Sequence, residues 1–360
     1  MKKVQQIGWL GMATLILLPV FSCSNEVETV EEESKVAIDF VCKEFDSRTD
    51  IHATIADLKD KGFILFAHTT TNPNAATPTT TSSDERTVTY DEDKREWTYT
   101  NKMYWIPQHT HTFRGYFPAD AMTINDTDYN TFEINYENST QKDIMMASAT
   151  RSAAEAKEKG YEAVPLTFEH LLAKVNIKLK VDVENVDVEN NVTTPRIGAI
   201  VKGVGLSDIA KGAKYTQDNK WTDVYGTSSI GVNFDEPILI GESMIKDETF
   251  VLQGENGETL FNNDDEFLVI PQALEANKAS LRLYVDIITP PVWNVTEKKY
   301  IYTTLMTDQP LICALPAITW EAKKKYVYIA TITQDFEIQF GEITIEEWED
   351  KTMSGTIIIQ

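Results

Sequence analysis

VPLTFEHLLAKVNIKLKVDV, residues 164 to 183, is the most regular pattern in the chain, and its reading decides the fold. Val164, Leu166 and Phe168 alternate with polar or turn residues, and Glu169 to Lys174 turns a corner. From Val175 the odd positions Val175, Ile177, Leu179, Val181 and Val183 are apolar. Asn176, Lys178, Lys180 and Asp182 lie between them, and side chains two apart on a strand share a face. One buried face and one wet face suits an antiparallel sheet covered on one side, because parallel strands covered on both sides run continuously apolar. The stretch therefore predicts strand, corner, strand within a β-sandwich.

Outward from it the chain reads as further strands. Val88 to Tyr90, Trp97 to Ile106 and Thr110 to Phe117 form a meander, with Trp97, Tyr99, Met103 and Trp105 on one face as an aromatic core. Leu281 to Ile288, Tyr300 to Leu305, Tyr326 to Ile332, Phe336 to Phe340 and Ile343 to Ile345 follow, with Pro271, Pro290, Pro291 and Pro316 between strands. Asn256-Gly257 between two apolar runs suits a hairpin turn. Ser152 to Gly160, rich in Ala, Glu and Lys, predicts a short helix stopped by glycine. Thr69 to Ser83 carries two prolines and no apolar period, and reads as a long surface loop.

Composition narrows the function. The 360 residues allow two ordinary domains, and 42% hydrophobic with 10% aromatic residues can bury real cores. A net charge of −23 repels phosphate backbones, which argues against nucleic acid as a partner. Cys23, Cys42 and Cys313 provide no disulfide framework and no CxxC pair; a Cys42 to Cys313 bridge is open, with two separately buried thiols the plainer reading. His109 and His111, two apart, fall short of the three or four converging ligands a metal site needs. Asp182, Glu184, Asp187 and Glu189 lie in a repeated VDVEN and lack the glycine and spacing of a calcium loop, so a solvated hairpin is favoured. No HExxH, GxSxG or GxxxxGK occurs, and no acidic pair is singled out for glycoside hydrolysis. No cofactor or catalytic residue is expected.

The two ends are distinctive. Lys2 and Lys3 precede an apolar run from Ile7 to Phe21, too short for a membrane span, which reads as an export signal over residues 1–22. Val20-Phe21-Ser22-Cys23 looks like a lipobox, making Cys23 the candidate lipidation site and a tether to the outer membrane. Residues 23–34 form an acidic spacer with Glu26, Glu28 and Glu31 to Glu33. A first strand runs from Lys35 to Cys42 with Val36, Ile38 and Phe40 on one face, and a polar connection holding Arg48 follows it. The chain closes on GTIIIQ, an apolar terminal strand that must be buried at home or given to a neighbour.

The run VPLTFEHLLAKVNIKLKV, preceded by DIMMA (143–147), YWIP (104–107) and FRGYFP (113–118), resembles the fimbrillin-like family of surface pilus subunits in Gram-negative bacteria. So do KYVY (325–328) and ITIEEW (343–348) near the C-terminus. With the strand pattern, the resemblance implies an all-β chain of two transthyretin-like, Greek-key β-sandwiches in tandem, over 35–155 and 156–360. It implies a protease cut after a basic residue, Arg48 first and Lys43 second, that discards the first strand. A C-terminal strand of another subunit, with Ile357, Ile358 and Ile359, then fills the groove left by Val36, Ile38 and Phe40. The implied partners are other pilus subunits, the outer membrane through the lipid, and a host or bacterial surface ligand. The acidic spacer resembles a surface-display signal. Shaft, tip and anchor roles remain open; an anchor keeps its lipid and its first strand. The rival expectation is a glycan-binding surface lipoprotein using Trp221 or Trp293.

Overall fold

The computed structural model describes residues 35–42, 55–71, 80–127, 129–187, 189–190, 192–242, 249–250 and 266–348. Cys23, Lys43, Arg48, the Asn256-Gly257 turn and Ile357 to Ile359 lie outside the described residues. Among those described, regular structure is β apart from helices Ile55–Lys61 and Ala153–Glu158 and two single 3-10 turns. The second helix starts on a reciprocal cap: the Ser152 hydroxyl accepts from the Glu155 amide at 3.1 Å, and the Glu155 carboxylate accepts from the Ser152 amide at 2.8 Å. Gly160 ends it at φ 65°, a conformation that favours glycine.

The N-terminal half is organised by a six-stranded antiparallel sheet. Its spatial order is Glu169–His170, Met145–Ser152, Thr110–Phe117, Phe63–Thr70, Thr80–Asp91, Glu96–Tyr99. The Thr69 to Ser83 stretch is shorter as a loop than expected, because Thr69 and Thr70 pair with Ser82 and Thr80; threonine is as much a strand residue as a loop residue. The expected Trp97 to Ile106 strand breaks after Tyr99, where Asn101 takes φ 54°. One apolar cluster covers one side of this sheet: Phe63, Leu65, Trp97, Tyr99, Trp105, Phe113, Phe117 and Met145 pack with Ile38, Phe40, Val164, Leu166 and Phe168.

The C-terminal half encloses a more aliphatic cluster between two sheets. In one, Ala173–Val181 pairs with Lys324–Ile332, which pairs with Ile338–Glu347. In the other the order is Thr304–Ala314, Ser280–Ile288, Gly198–Thr216, Glu133–Glu137, Thr123–Asn125, and Lys220–Ile240 also runs along Gly198–Thr216. Val175, Ile177, Leu179 and Val181 all face this cluster, as the alternation requires.

Two features of the deciding stretch differ from the expectation. Ala173–Val181 pairs with Lys324–Ile332 in parallel, and its first half is covered on both faces, with Lys174 and Asn176 2% exposed. The polar residues hid this: Lys174 is buried because Glu266 and the Trp348 ring receive its ammonium. Val164–Leu166 also does not fold back on Ala173–Val181. It pairs in parallel with Phe40–Cys42, so Val164, Leu166 and Phe168 belong to the N-terminal cluster and the passage between clusters falls between Phe168 and Ala173. A third cluster, with Phe66, Tyr116, Ile134, Met146, Leu172, Tyr215, Leu268 and Trp348, draws on both halves.

Candidate functional site

The site is the place occupied by the first strand. Residues 36 to 42 alternate as the sequence predicts: Ile38 is 1%, Phe40 5% and Cys42 6% exposed, whereas Asp39 and Val41 face outward. Val36 packs half-buried at the margin. The Phe40 ring meets Phe113 edge-on at 5.1 Å and Tyr99 at 5.7 Å. Such rings contribute contact area together with edge-to-face attraction.

This segment fits between two others. On one side the Ile38 amide donates to the Met103 carbonyl at 2.9 Å, and the Trp105 amide donates to the Val36 carbonyl at 3.1 Å, an antiparallel arrangement. On the other, the Val164 amide donates to the Asp39 carbonyl at 2.7 Å, and Phe40, Val41 and Cys42 pair in parallel with Val164, Pro165 and Leu166. Pro165 offers no N–H. Beneath, the Tyr99 hydroxyl donates to the Ile38 carbonyl at 2.6 Å. At the rim Lys102 approaches Asp39 at 3.2 Å, an exposed pair worth little. Without residues 36–42, therefore, an apolar floor and two backbone edges would be uncovered together.

Cys42 and His111 are two of the titratable groups at the site. Burial pushes the Cys42 thiol far above its ordinary range, so it stays a neutral apolar side chain. Cys42 and Cys313 are both free; the former is in the N-terminal cluster and the latter against the C-terminal one. His111 lies edge-to-face with Trp105 at 5.0 Å, and neither ring nitrogen meets a hydrogen-bond partner within the protein. Burial, reinforced by His109, pulls its pKa down to about 4. His109 sits in the preceding turn, its Nδ1 2.8 Å from the Pro107 carbonyl, so the two histidines are not a ligand pair. Among the described residues no cluster of three metal-ligating side chains forms.

The other candidates separate clearly. The acidic repeat is an exposed hairpin, Val183–Asp187 with Val192–Pro195, in which Asp187 binds Asn190 across the turn. Trp221 is no open platform: it is partly buried and its indole N–H donates to the Leu171 carbonyl at 2.8 Å. Trp293 is 50% exposed and meets Tyr300 edge-on at 5.0 Å on the hairpin Val292–Asn294 with Lys299–Ile301. His170, expected as a satisfied corner residue, is buried 2.7 Å from Asp143 and stacks on Trp348.

Sequence reasoning found the strand but missed its neighbours. Met103 to Trp105 read as core strand and Val164 as part of another domain. A buried tyrosine in an otherwise apolar face was the available signal, since its hydroxyl needs a partner.

The fimbrillin-like family model matches residues 53–348, and the chain belongs to that family. The chain is similar in fold to a crystal structure of a fimbrial protein from Bacteroides vulgatus, at 20% identity and TM-score 0.58, covering 87% of this chain and 99% of that one. A proposed cell adhesion protein from Bacteroides uniformis matches at 16% identity and TM-score 0.41, covering 88% and 99%. One from Bacteroides ovatus matches at 11% and 0.47, also covering 88% and 99%. No curated protein matches the sequence.

Proposed function

We propose that this chain is a structural subunit of a cell-surface pilus, without enzymatic activity, exported as a lipoprotein through Cys23 and carried to the outer membrane surface. Cleavage after Arg48 releases the first strand, and the C-terminal strand of another subunit, carrying Ile357, Ile358 and Ile359, takes its place. We read the chain as two β-sandwiches whose apolar cores change over between Phe168 and Ala173, later than residue 155, with Glu133–Glu137 crossing into the second. The reading is carried by one observation: Ile38, Phe40 and Cys42 close an aromatic core from a segment with backbone edges on both sides. Each aliphatic or aromatic side chain replaced there contributes roughly 1.5–3 kcal/mol. Assembly then follows from apolar burial and strand addition, and open head-to-tail contacts produce a fibre. The partners are further copies or related subunits.

N-terminal sequencing of cell-surface material tests the processing step. A chain beginning at Thr49 identifies a polymerising subunit, and one beginning at Cys23 an anchor. Deleting residues 356–360 is expected to abolish incorporation into filaments; unchanged filaments overturn strand donation. A second reading, a glycan-binding surface lipoprotein, is favoured by the half-exposed Trp293 beside Tyr300. Oligosaccharide binding lost in Trp293→Ala, without filament formation, selects it.

A further inference from the structure

We propose that Trp348 is a clamp fixing the root of the C-terminal segment, so that pull on that segment enters the central cluster and does not peel the edge strand. The inference rests on the reading that residues beyond Trp348 are given to a second copy.

Ile338–Glu347 is the outermost strand of its sheet and is paired along one side to Lys324–Ile332. Its last residues are in solvent: Ile345 is 54% exposed, and Glu346 and Glu347 are exposed. A strand of this kind, drawn from its C-terminal end, opens one pair of residues at a time, and each step opposes the pull with a single rung. Peeling is the weak mode of a β-ladder. A subunit held in a fibre by this end would fail there first.

The next residue changes the mode. Trp348 is 7% exposed, and its amide donates to the Lys323 carbonyl at 2.8 Å. Its ring stacks on His170 with centroids 4.2 Å apart and planes at 19°, and the Lys174 ammonium lies 3.8 Å from the ring centroid. The gripping groups are themselves held. The Asp143 carboxylate lies 2.7 Å from the His170 ring, and Glu266 binds Lys174 at 3.5 Å and Lys325 at 2.5 Å. His170 comes from the strand paired with Met145–Ser152, and Lys174 from Ala173–Val181, so elements of both halves hold one indole. A purely apolar pocket would bury tryptophan at lower desolvation cost; buried charged groups around it hold one ring orientation. Displacing the ring breaks stacking, the cation contact and central packing in one event, which a single rung cannot match.

The test holds the full chain between its C-terminus and an attachment cysteine at exposed Glu275 (Glu275→Cys), and measures dwell time before the first opening under constant load. Trp348→Ala is expected to shorten the dwell at least about tenfold and His170→Gln severalfold. Trp348→Phe keeps most of it, and Ile345→Ala in the exposed run changes it less than about threefold. Trp348→Phe and His170→Gln keep the test meaningful should Trp348→Ala fail to fold. Dwell times within twofold of the wild type in the tryptophan and histidine variants overturn the clamp. Binding of a synthetic 349–360 peptide to chain lacking residues 1–48 is measured in parallel. The peptide omits Trp348, so absent binding overturns donation, while the dwell times decide the clamp.

Discussion

The two main apolar clusters are closed in different ways. The C-terminal one is aliphatic and walled by long strands, among them Gly198–Thr216, Ser280–Ile288 and Lys324–Ile332, each hydrogen-bonded through much of its length. The N-terminal one is aromatic, and part of its wall is a short segment in which Phe40–Cys42 is the only regular strand. Aromatic rings supply large contact areas per residue, so a few side chains complete that core. The difference teaches that a core can be finished by a short piece when its contacts are concentrated in two or three positions.

The sharpest way to break this comparison is to remove the piece. Chain lacking residues 1–48 is expected to lose about 5 kcal/mol or more in the N-terminal half. Hydrogen exchange should speed up in Phe63–Thr70 and Thr110–Phe117 but not in Ser280–Ile288; equal loss in both halves refutes the separation. Inward positions in the first strand are two apart, so the proposed replacement would present Ile357 and Ile359 inward and Ile358 outward, or the reverse. Pairing Met353 with the first set makes it the apolar one. Ile357→Asp or Ile359→Asp should therefore stop filament formation and Ile358→Asp spare it, as scored by electron microscopy.

Single truncations sharpen the contrast. Phe40→Ala is expected to cost about 3–5 kcal/mol in the intact chain, whereas Leu283→Ala costs about 2–5 kcal/mol both there and in chain lacking residues 1–48, by denaturant titration. His111 marks the N-terminal core by pH. Its pKa is 6.5 ordinarily and about 4 here, so the fold favours the neutral ring. Its contribution is complete above pH 6.5 and is lost as pH falls toward 4, about 3 kcal/mol in all. His111→Phe should flatten that part of the stability profile. Lys102→Ala, at the exposed rim pair with Asp39, should change stability by less than about 1 kcal/mol.

Much of the fold was legible because one face of a strand leaves a period of two. Val175 to Val181, the first strand, the Trp97 and Tyr99 core and the helix stopped by Gly160 all came from local patterns. What was not legible depends on partners distant in sequence. Nothing in Val164–Leu166 announces Phe40–Cys42, and nothing in Ala173–Val181 announces a parallel neighbour at Lys324–Ile332. Lys174 was read only as the end of a corner, and Glu266 and Trp348, distant in sequence, explain its burial. Glu133–Glu137 also crosses from the N-terminal half to join Gly198–Thr216, a pairing that no strand pattern encodes.

The mixed surroundings of the first strand have a further consequence. Val36 lies beside Trp105 in an antiparallel arrangement, and Cys42 lies beside Leu166 in a parallel one. The slot has a heading: under the proposed exchange, a guest that keeps these pairings must thread with its N-terminus toward Trp105 and its C-terminus toward Leu166, and a reversed sequence meets mismatched backbone groups. If copies join by the strand exchange proposed above, their filament carries an arrow along its axis, with chemically unlike ends and growth at one that cannot stand in for growth at the other.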